Sequence, residues 1–315
     1  MTQSVAEIVD DYVEMRRGLG YRSVTRERSL RAFARHLEGH EGPISLEVTL
    51  EWAASTPSTD PHNPARRLAS VRGLLRHLHA MDGVTVVPAP GLLGSTGHRN
   101  PPHVYSDTEI VDLLAAAARL DPVDGLRPRC YVTLFGLLAC AGLRISEALA
   151  LSCEDVGLDG GVITVRSGKR GQTRLVPLHP TTVVALADYA SERERRHGTP
   201  GAGEAFFRTD DSERISYRVA HHAFSVVRRR LGWTADGRAR APRIHDLRHR
   251  MVVRRIETWH AQEVDVDAKI PALATYVGHV EVRDVYWYLS AVPELMSIVA
   301  QRFEAFAGQP PTGAS

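Results

Sequence analysis

The chain has 315 residues, 43% hydrophobic and 24% charged, with a net charge of +2 at pH 7. That length accommodates two ordinary domains, and no apolar run approaches the roughly 20 residues that span a bilayer. The N-terminus lacks the basic start and apolar core of a signal peptide. Three cysteines (Cys130, Cys140, Cys153) without a Cys-x-x-Cys pair point to buried thiols in a reducing compartment, the cytoplasm, and not to zinc or disulfides.

Of the 39 basic residues, 37 are arginine; the lysines are Lys169 and Lys269. Arginine grips phosphate through two parallel bonds and does not titrate, so the bias suits a DNA binder. GC-rich coding produces the same bias. Either way, a lysine kept against it calls for a reason.

Apolar residues recur at helical spacing over 4–18 (Val5, Ile8, Val9, Tyr12, Val13), 24–38 and 63–81 (Leu68, Val71, Leu74, Leu75, Leu78). Arg66, Arg67, Arg72 and Arg76 face away from the third stripe, and Arg66 and Arg67 are assigned as DNA contacts. Ser45 or Thr49 opens a shorter helix through Trp52. Residues 1–86 are therefore expected to form a four-helix domain. From 87 to 103, prolines and glycines break the periodicity, which predicts a linker.

A catalytic-sized domain is expected over 104–315. Ser106 and Glu109 form a capping box opening a helix over 107–120, and 129–141 is apolar enough to be buried. Val162, Thr164 and Arg166, then Thr173, Leu175 and Pro177, alternate at period two around Ser167-Gly168-Lys169-Arg170-Gly171. That is a β-hairpin with a basic tip, and a third strand is expected at 205–208. Helices are expected over 180–196, 215–231, 245–259, 270–278 and 283–289, with a tail helix over 293–305. The fold class is mainly α, with a small antiparallel sheet in the second domain. Thirteen arginines against five acidic residues lie between 208 and 255, which fits a phosphate-tracking surface or a solvated helix face.

Phosphate loops and dinucleotide turns are missing from the sequence, and no Asp/Glu cluster has metal-ligand spacing. What remains is a scattered set of Arg, His, Lys and Tyr, suited to stabilising a charged phosphoryl transition state. Gly142-Leu143-Arg144-Ile145-Ser146-Glu147 places an arginine after the buried helix, with Glu147 spaced to brace its own turn or a neighbour. His245 and Arg248 share a helical face. Gly278-His279 starts a turn, and Val285-Tyr286-Trp287-Tyr288 ends nine residues after His279.

The ordered set Arg144, Lys169, His245-x-x-Arg248, Gly278-His279 and Tyr288 resembles the signature of the tyrosine recombinases, the phage and mobile-element integrases and Xer recombinases. The hairpin Gly168-Lys169 through Arg174-Leu175-Val176-Pro177-Leu178 agrees, and 285–295 is similar to transposon-type integrases. The resemblance covers the whole chain and implies a SAM-like helical core-binding domain before the catalytic domain.

It further implies that Arg144 and Arg248 cradle the scissile phosphate and that Tyr288 attacks phosphorus, leaving a 3′-phosphotyrosyl bond and a free 5′-hydroxyl. Lys169 would protonate the departing oxygen, a task arginine with its pKa above about 12 cannot serve. His245 would move the tyrosine proton, His279 would donate to phosphate, and Glu147 would brace. Arg170, Arg174 and Arg250 join Arg66 and Arg67 as DNA contacts. The implied enzyme uses neither cofactor nor metal. It works on duplex recombination sites as a homotetramer assembled through the C-terminal helix, integrating or excising a mobile element. Tyr286 is the rival nucleophile. A type IB-like topoisomerase and a silent DNA-binding protein are the alternatives. Two departures stand out: residues 259–268 read as an insertion, and Arg250 and Met251 occupy positions where the family has small or hydroxyl residues.

Overall fold

A computed structural model describes residues 4–21, 23–40, 42–97, 101–166, 173–235, 240–278 and 285. The chain divides into two compact units, Met1–Asn100 and Pro101–Ser315. No helix among the described residues is long and apolar enough to cross a membrane.

The first unit holds α1 (Val5–Gly18), α2 (Val24–His36), α3 (Leu46–Ala54) and α4 (Asn63–Asp82). Ser4, Ser23 and Ser45 each accept a bond from the backbone N–H three residues on, satisfying a donor the helix cannot. The predicted stripes close on one core containing Val9, Tyr12, Phe33, Trp52, Leu68, Val71, Leu74 and Leu75. The stretch 87–97, expected as a linker, is fastened to this unit. Arg72 donates to the Pro88 and Ala89 carbonyls, His62 Nδ1 lies 2.9 Å from the Ser95 carbonyl, and Val87 and Leu93 pack on the core.

In the second unit, the Ser106–Glu109 box opens α5 (Asp107–Ala117). α6 (Leu126–Ala141) is apolar on nearly every side and accordingly runs through the core, packed by α5, α8 and α10. Its first N–H is capped from 84 residues away by Asp210, Leu126 N to Oδ2 at 2.6 Å. It ends at Gly142, left-handed with φ 61°. α7 (Ile145–Ala150) follows, then a sheet of β1 (Val156–Gly157), β2 (Val162–Val165) and β3 (Arg174–Pro177). Both strand pairs are antiparallel, and Ile163 faces Val176 across β2–β3 with both side chains buried. α8 (Pro180–His197), α9 (Tyr217–Arg230), α10 (Asp246–Ala261) and α11 (Val266–Val277) complete the described part.

Two expectations change. The third strand is β1 and not 205–208, where Ala205 makes one isolated bridge to Ser152. The backbone of that apolar run is satisfied differently: Phe206 N donates to the Leu151 carbonyl, while the Tyr189 hydroxyl accepts from Arg208 N and donates to its carbonyl. Second, residues 259–268, read as an insertion, join two helices. They are the last turn of α10, a turn, and the first turn of α11, which Asp265 caps through Ala268 N. α11 thus begins four residues before the predicted start. The predicted helix over 283–289 lies outside the described residues except at Val285, and the tail helix over 293–305 lies outside entirely.

Met251, one of the departures, has a packing role. A Cβ on Gly142 would sit 2.2 Å from its terminal methyl. Gly142→Ala should therefore cost about 1–3 kcal/mol, from a left-handed alanine and a displaced methionine. In a Met251→Ala background the same change should cost about 1 kcal/mol less. Denaturant unfolding of the four proteins measures this, and equal costs in both backgrounds would refute the contact.

Candidate active site

The site grows from the ends of two helices. α6 terminates at Gly142, and two residues later Arg144 occupies the position before α7. Glu147, in the first turn of α7, reaches back: its Oε2 accepts from Arg144 N at 2.9 Å and its Oε1 from Arg144 Nη1 at 2.6 Å. The same carboxylate takes both terminal nitrogens of Arg174 on β3, at 3.1 and 2.8 Å. Glu147 therefore braces its own turn and a neighbouring strand together.

α10 contributes His245 and Arg248 at its first turn. Arg248 is only 2% exposed, and a guanidinium so buried needs acceptors on several sides. It has them: Nη1 donates to the Gly142 carbonyl at 2.6 Å and Nη2 to the Val277 carbonyl at 2.7 Å.

The second helix end is that of α11, closed by Gly278 at φ 69°. Its last carbonyls are taken in sequence by three arginines from three elements. Arg174 Nε donates to Tyr276 O at 2.9 Å, Arg248 Nη2 to Val277 O, and Arg144 Nη2 to Gly278 O at 2.8 Å. Three predicted site residues, Arg144, Arg248 and Glu147, thus meet with Arg174 around the turn that precedes His279. His245 joins them through α10, its ring 4.7 Å from that of His249.

Charges follow from this packing. Burial alone would raise the Glu147 pKa, but the hydrogen bonds from Arg174 and Arg144 N, with the charges of both arginines, hold it down at about 2. For His245, burial first and the Arg248 charge second lower the pKa to about 4. Its imidazole is neutral at pH 7 and able to accept a proton.

The other assigned arginines among the described residues have partners within the chain. Arg174, grouped with DNA contacts on sequence, is 10% exposed at its side chain and fully engaged by its own chain. Arg250 is held by the Tyr105 carbonyl and by Asp107. Arg67 lies over the Trp52 ring, 4.1 Å from its centroid, and donates to the Trp52 carbonyl, so it serves the core. Arg66 pairs with Asp60 at the surface. Several arginines of the 208–255 stretch are likewise structural: Arg214 reaches the Leu149 carbonyl, Arg228 the Pro242 carbonyl, and Arg243 pairs with Asp246. Lys169, Arg170, His279, Tyr286 and Tyr288 lie outside the described residues. Sequence reasoning missed the bracing role of Arg174; the signal available was its place on a strand whose neighbours are apolar.

Residues 104–294 match the model of the phage integrase family. Over 302 residues the chain is 37% identical to a Sinorhizobium fredii protein named integrase/recombinase y4rB, spanning 95% of this chain and 96% of that one. It is 28% identical over 319 residues to the tyrosine recombinase XerD of Mycobacterium tuberculosis, with 96% and 95% covered. Its fold is similar to that of lambda integrase, solved as a tetramer bound to a Holliday junction, with TM-score 0.61, 14% identity, and 89% and 78% of the two chains covered.

A histidine with its folded pKa depressed binds its proton later than in the unfolded chain. The contribution of this group to stability is therefore complete above pH 6.5 and is lost as pH drops from about 6.5 to 4, in an amount reduced by solvent screening because the side chain is partly exposed. Urea unfolding across that window should show a smaller loss for His245→Gln, and NMR of the free protein should place the imidazole midpoint near 4. A midpoint above 6 would contradict the burial argument. Glu147 behaves as the usual depressed carboxylate: its contribution is present above about pH 4.5 and disappears as pH falls toward 2. Glu147→Gln should flatten the acid limb of the stability profile in that range.

Proposed function

This chain belongs to the phage integrase family, the tyrosine recombinases that perform site-specific DNA recombination, and from that premise we propose that Tyr288 carries the reaction. One observation supports the reading most: Arg144 and Arg248, from separate elements, donate to the successive carbonyls of Gly278 and Val277, at the turn leading to His279. In this scheme the two guanidiniums bind the non-bridging oxygens of the scissile phosphate. Tyr288 forms a 3′-phosphotyrosyl bond as the 5′-oxygen departs, and Lys169 supplies that oxygen with a proton. Neutral His245 takes the tyrosine proton, and His279 donates to phosphate. The phosphotyrosyl bond keeps the energy of the broken phosphodiester, so the 5′-hydroxyl of a partner strand can reverse the step without ATP.

The helical residues 1–86 act as a core-binding domain on DNA and 104–315 as the catalytic domain, with Arg66 and Arg170 as candidates for backbone contact. The working form is a tetramer on two duplexes, joined through the C-terminal helix, in the cytoplasm. The lambda integrase tetramer supports the assembly. The element moved is a mobile one, consistent with the transposon-type pattern over 285–295.

The test uses a nicked suicide duplex bearing a site that the wild-type protein selects from a random pool. Wild type and Tyr286→Phe should form a denaturant-resistant protein–DNA adduct, and Tyr288→Phe none. An adduct with Tyr288→Phe refutes the assignment. Separately, Lys169→Arg should slow adduct formation by about 100-fold, and a leaving group with a bridging 5′-sulfur, which needs no proton, should restore it.

A further inference from the structure

Arg174 presents all its nitrogens inward. Nη1 and Nη2 span the two Glu147 oxygens, and Nε holds the Tyr276 carbonyl. Glu147 is 3% exposed at its side chain and each of its oxygens already accepts two bonds, one from Arg144 and one from Arg174. A carboxylate offers about four such positions, so none is spare. On the other side of the guanidinium lies Gly278. A Cβ there would sit 2.7 Å from Arg174 Nη1 and 2.9 Å from its central carbon, so a side chain is excluded where the turn begins.

We propose that Arg174 is a positioning residue of the strand-transfer site, aiming Arg144 through Glu147 and fixing the Tyr276–Gly278 turn from which the chain continues to His279. This rests on the recombinase reading above. The mechanism is a competition for acceptors. With Arg174 in place, Glu147 gives Arg144 one oxygen for its side chain and one for its backbone N–H, and the remaining Arg144 terminal nitrogen goes to Gly278 O. Without Arg174, both carboxylate oxygens are open to the Arg144 guanidinium in a side-on pair, the geometry arginine favours. Arg144, 25% exposed at its side chain, would then turn from the carbonyl that sets its direction. The Tyr276 carbonyl would lose its donor as well, loosening the turn.

Lysine separates this role from a DNA contact. It keeps the charge, so a phosphate contact survives, but one ammonium cannot span both carboxylate oxygens and a carbonyl as the planar fork does. Full-length wild type, Arg174→Lys and Gly278→Ala are compared on the selected nicked duplex in three measurements: affinity with its salt slope, single-turnover adduct rate, and unfolding midpoint. Arg174→Lys should bind within about twofold of wild type with the same salt slope. It should form adduct about 10–100-fold more slowly, the usual range when a residue orienting a primary ligand is lost. Gly278→Ala should slow the adduct too, and combining it with Arg174→Lys should add little, because both disturb one contact.

A wild-type adduct rate retained by Arg174→Lys overturns the proposal and leaves the recombinase reading intact. So does a loss of affinity with a shallower salt slope, which would make Arg174 a phosphate contact. If wild type itself forms no adduct, the recombinase reading fails and this proposal with it. Should Arg174→Lys not fold, Gly278→Ala decides: slowed adduct at unchanged affinity supports the proposal, and an unchanged rate overturns it.

Discussion

The end of α11 is partly buried, with Val277 fully enclosed, and a helix end shielded from water cannot leave its last carbonyls bare. Each would forfeit roughly 1–3 kcal/mol of unreplaced hydrogen bonding. Here the partners are the guanidiniums of Arg174, Arg248 and Arg144, taken in order by residues 276, 277 and 278. Arginine suits this because its five donors are fixed in a plane; two can be committed to backbone while others stay available. Satisfying the helix end and orienting the arginines are the same event. Arg248 extends the logic to α6, whose final carbonyl at Gly142 it also holds.

Three guanidiniums this close would repel one another, and the arrangement works because negative charge is placed among them. Glu147 supplies a full charge and the carbonyl end of α11 a partial one. The sum remains positive, which suits a ligand carrying charge of its own. Burial first and the arginine charges second make His245 resist protonation, so its imidazole is neutral at pH 7. Gly142 and Gly278, both left-handed, let the helix ends approach the arginines closely; a Cβ at either would meet Met251 or Arg174.

Much of this was legible in the sequence. Helix stripes such as Val5 through Val13, the Ser106–Glu109 box and the alternation over 162–177 each carry local chemistry that the structure retains. The ordering of Arg144, His245 and Arg248 was legible through family resemblance, because motif order survives where contacts cannot be seen. What stayed hidden were pairings between distant segments. Nothing local to Arg174 announces Glu147 or Tyr276, and its position beside a basic hairpin tip favoured a DNA contact. The intramolecular partners of Arg67 and Arg250 stayed hidden for the same reason: a charged side chain has no periodicity to reveal whether its partner is solvent, DNA or a carbonyl. The two-residue β1 and the six-residue α7 were too short to show a period at all.

The contacts that define the site also join distant parts of their unit. Arg174 and Tyr276 are 102 residues apart, Gly142 and Arg248 106, and Arg144 and Gly278 134. Long-range contacts of this kind form late, since loop closure must precede them. A chain emerging from the ribosome completes its N-terminal parts first, and the core of the first unit draws on nothing beyond residue 93. The arginine cluster, by contrast, lacks its α11 carbonyl partners until residue 278 has been made. A nascent or truncated chain can thus own a folded first unit while lacking an ordered arginine cluster, which ties the ordering of that cluster to synthesis through residue 278.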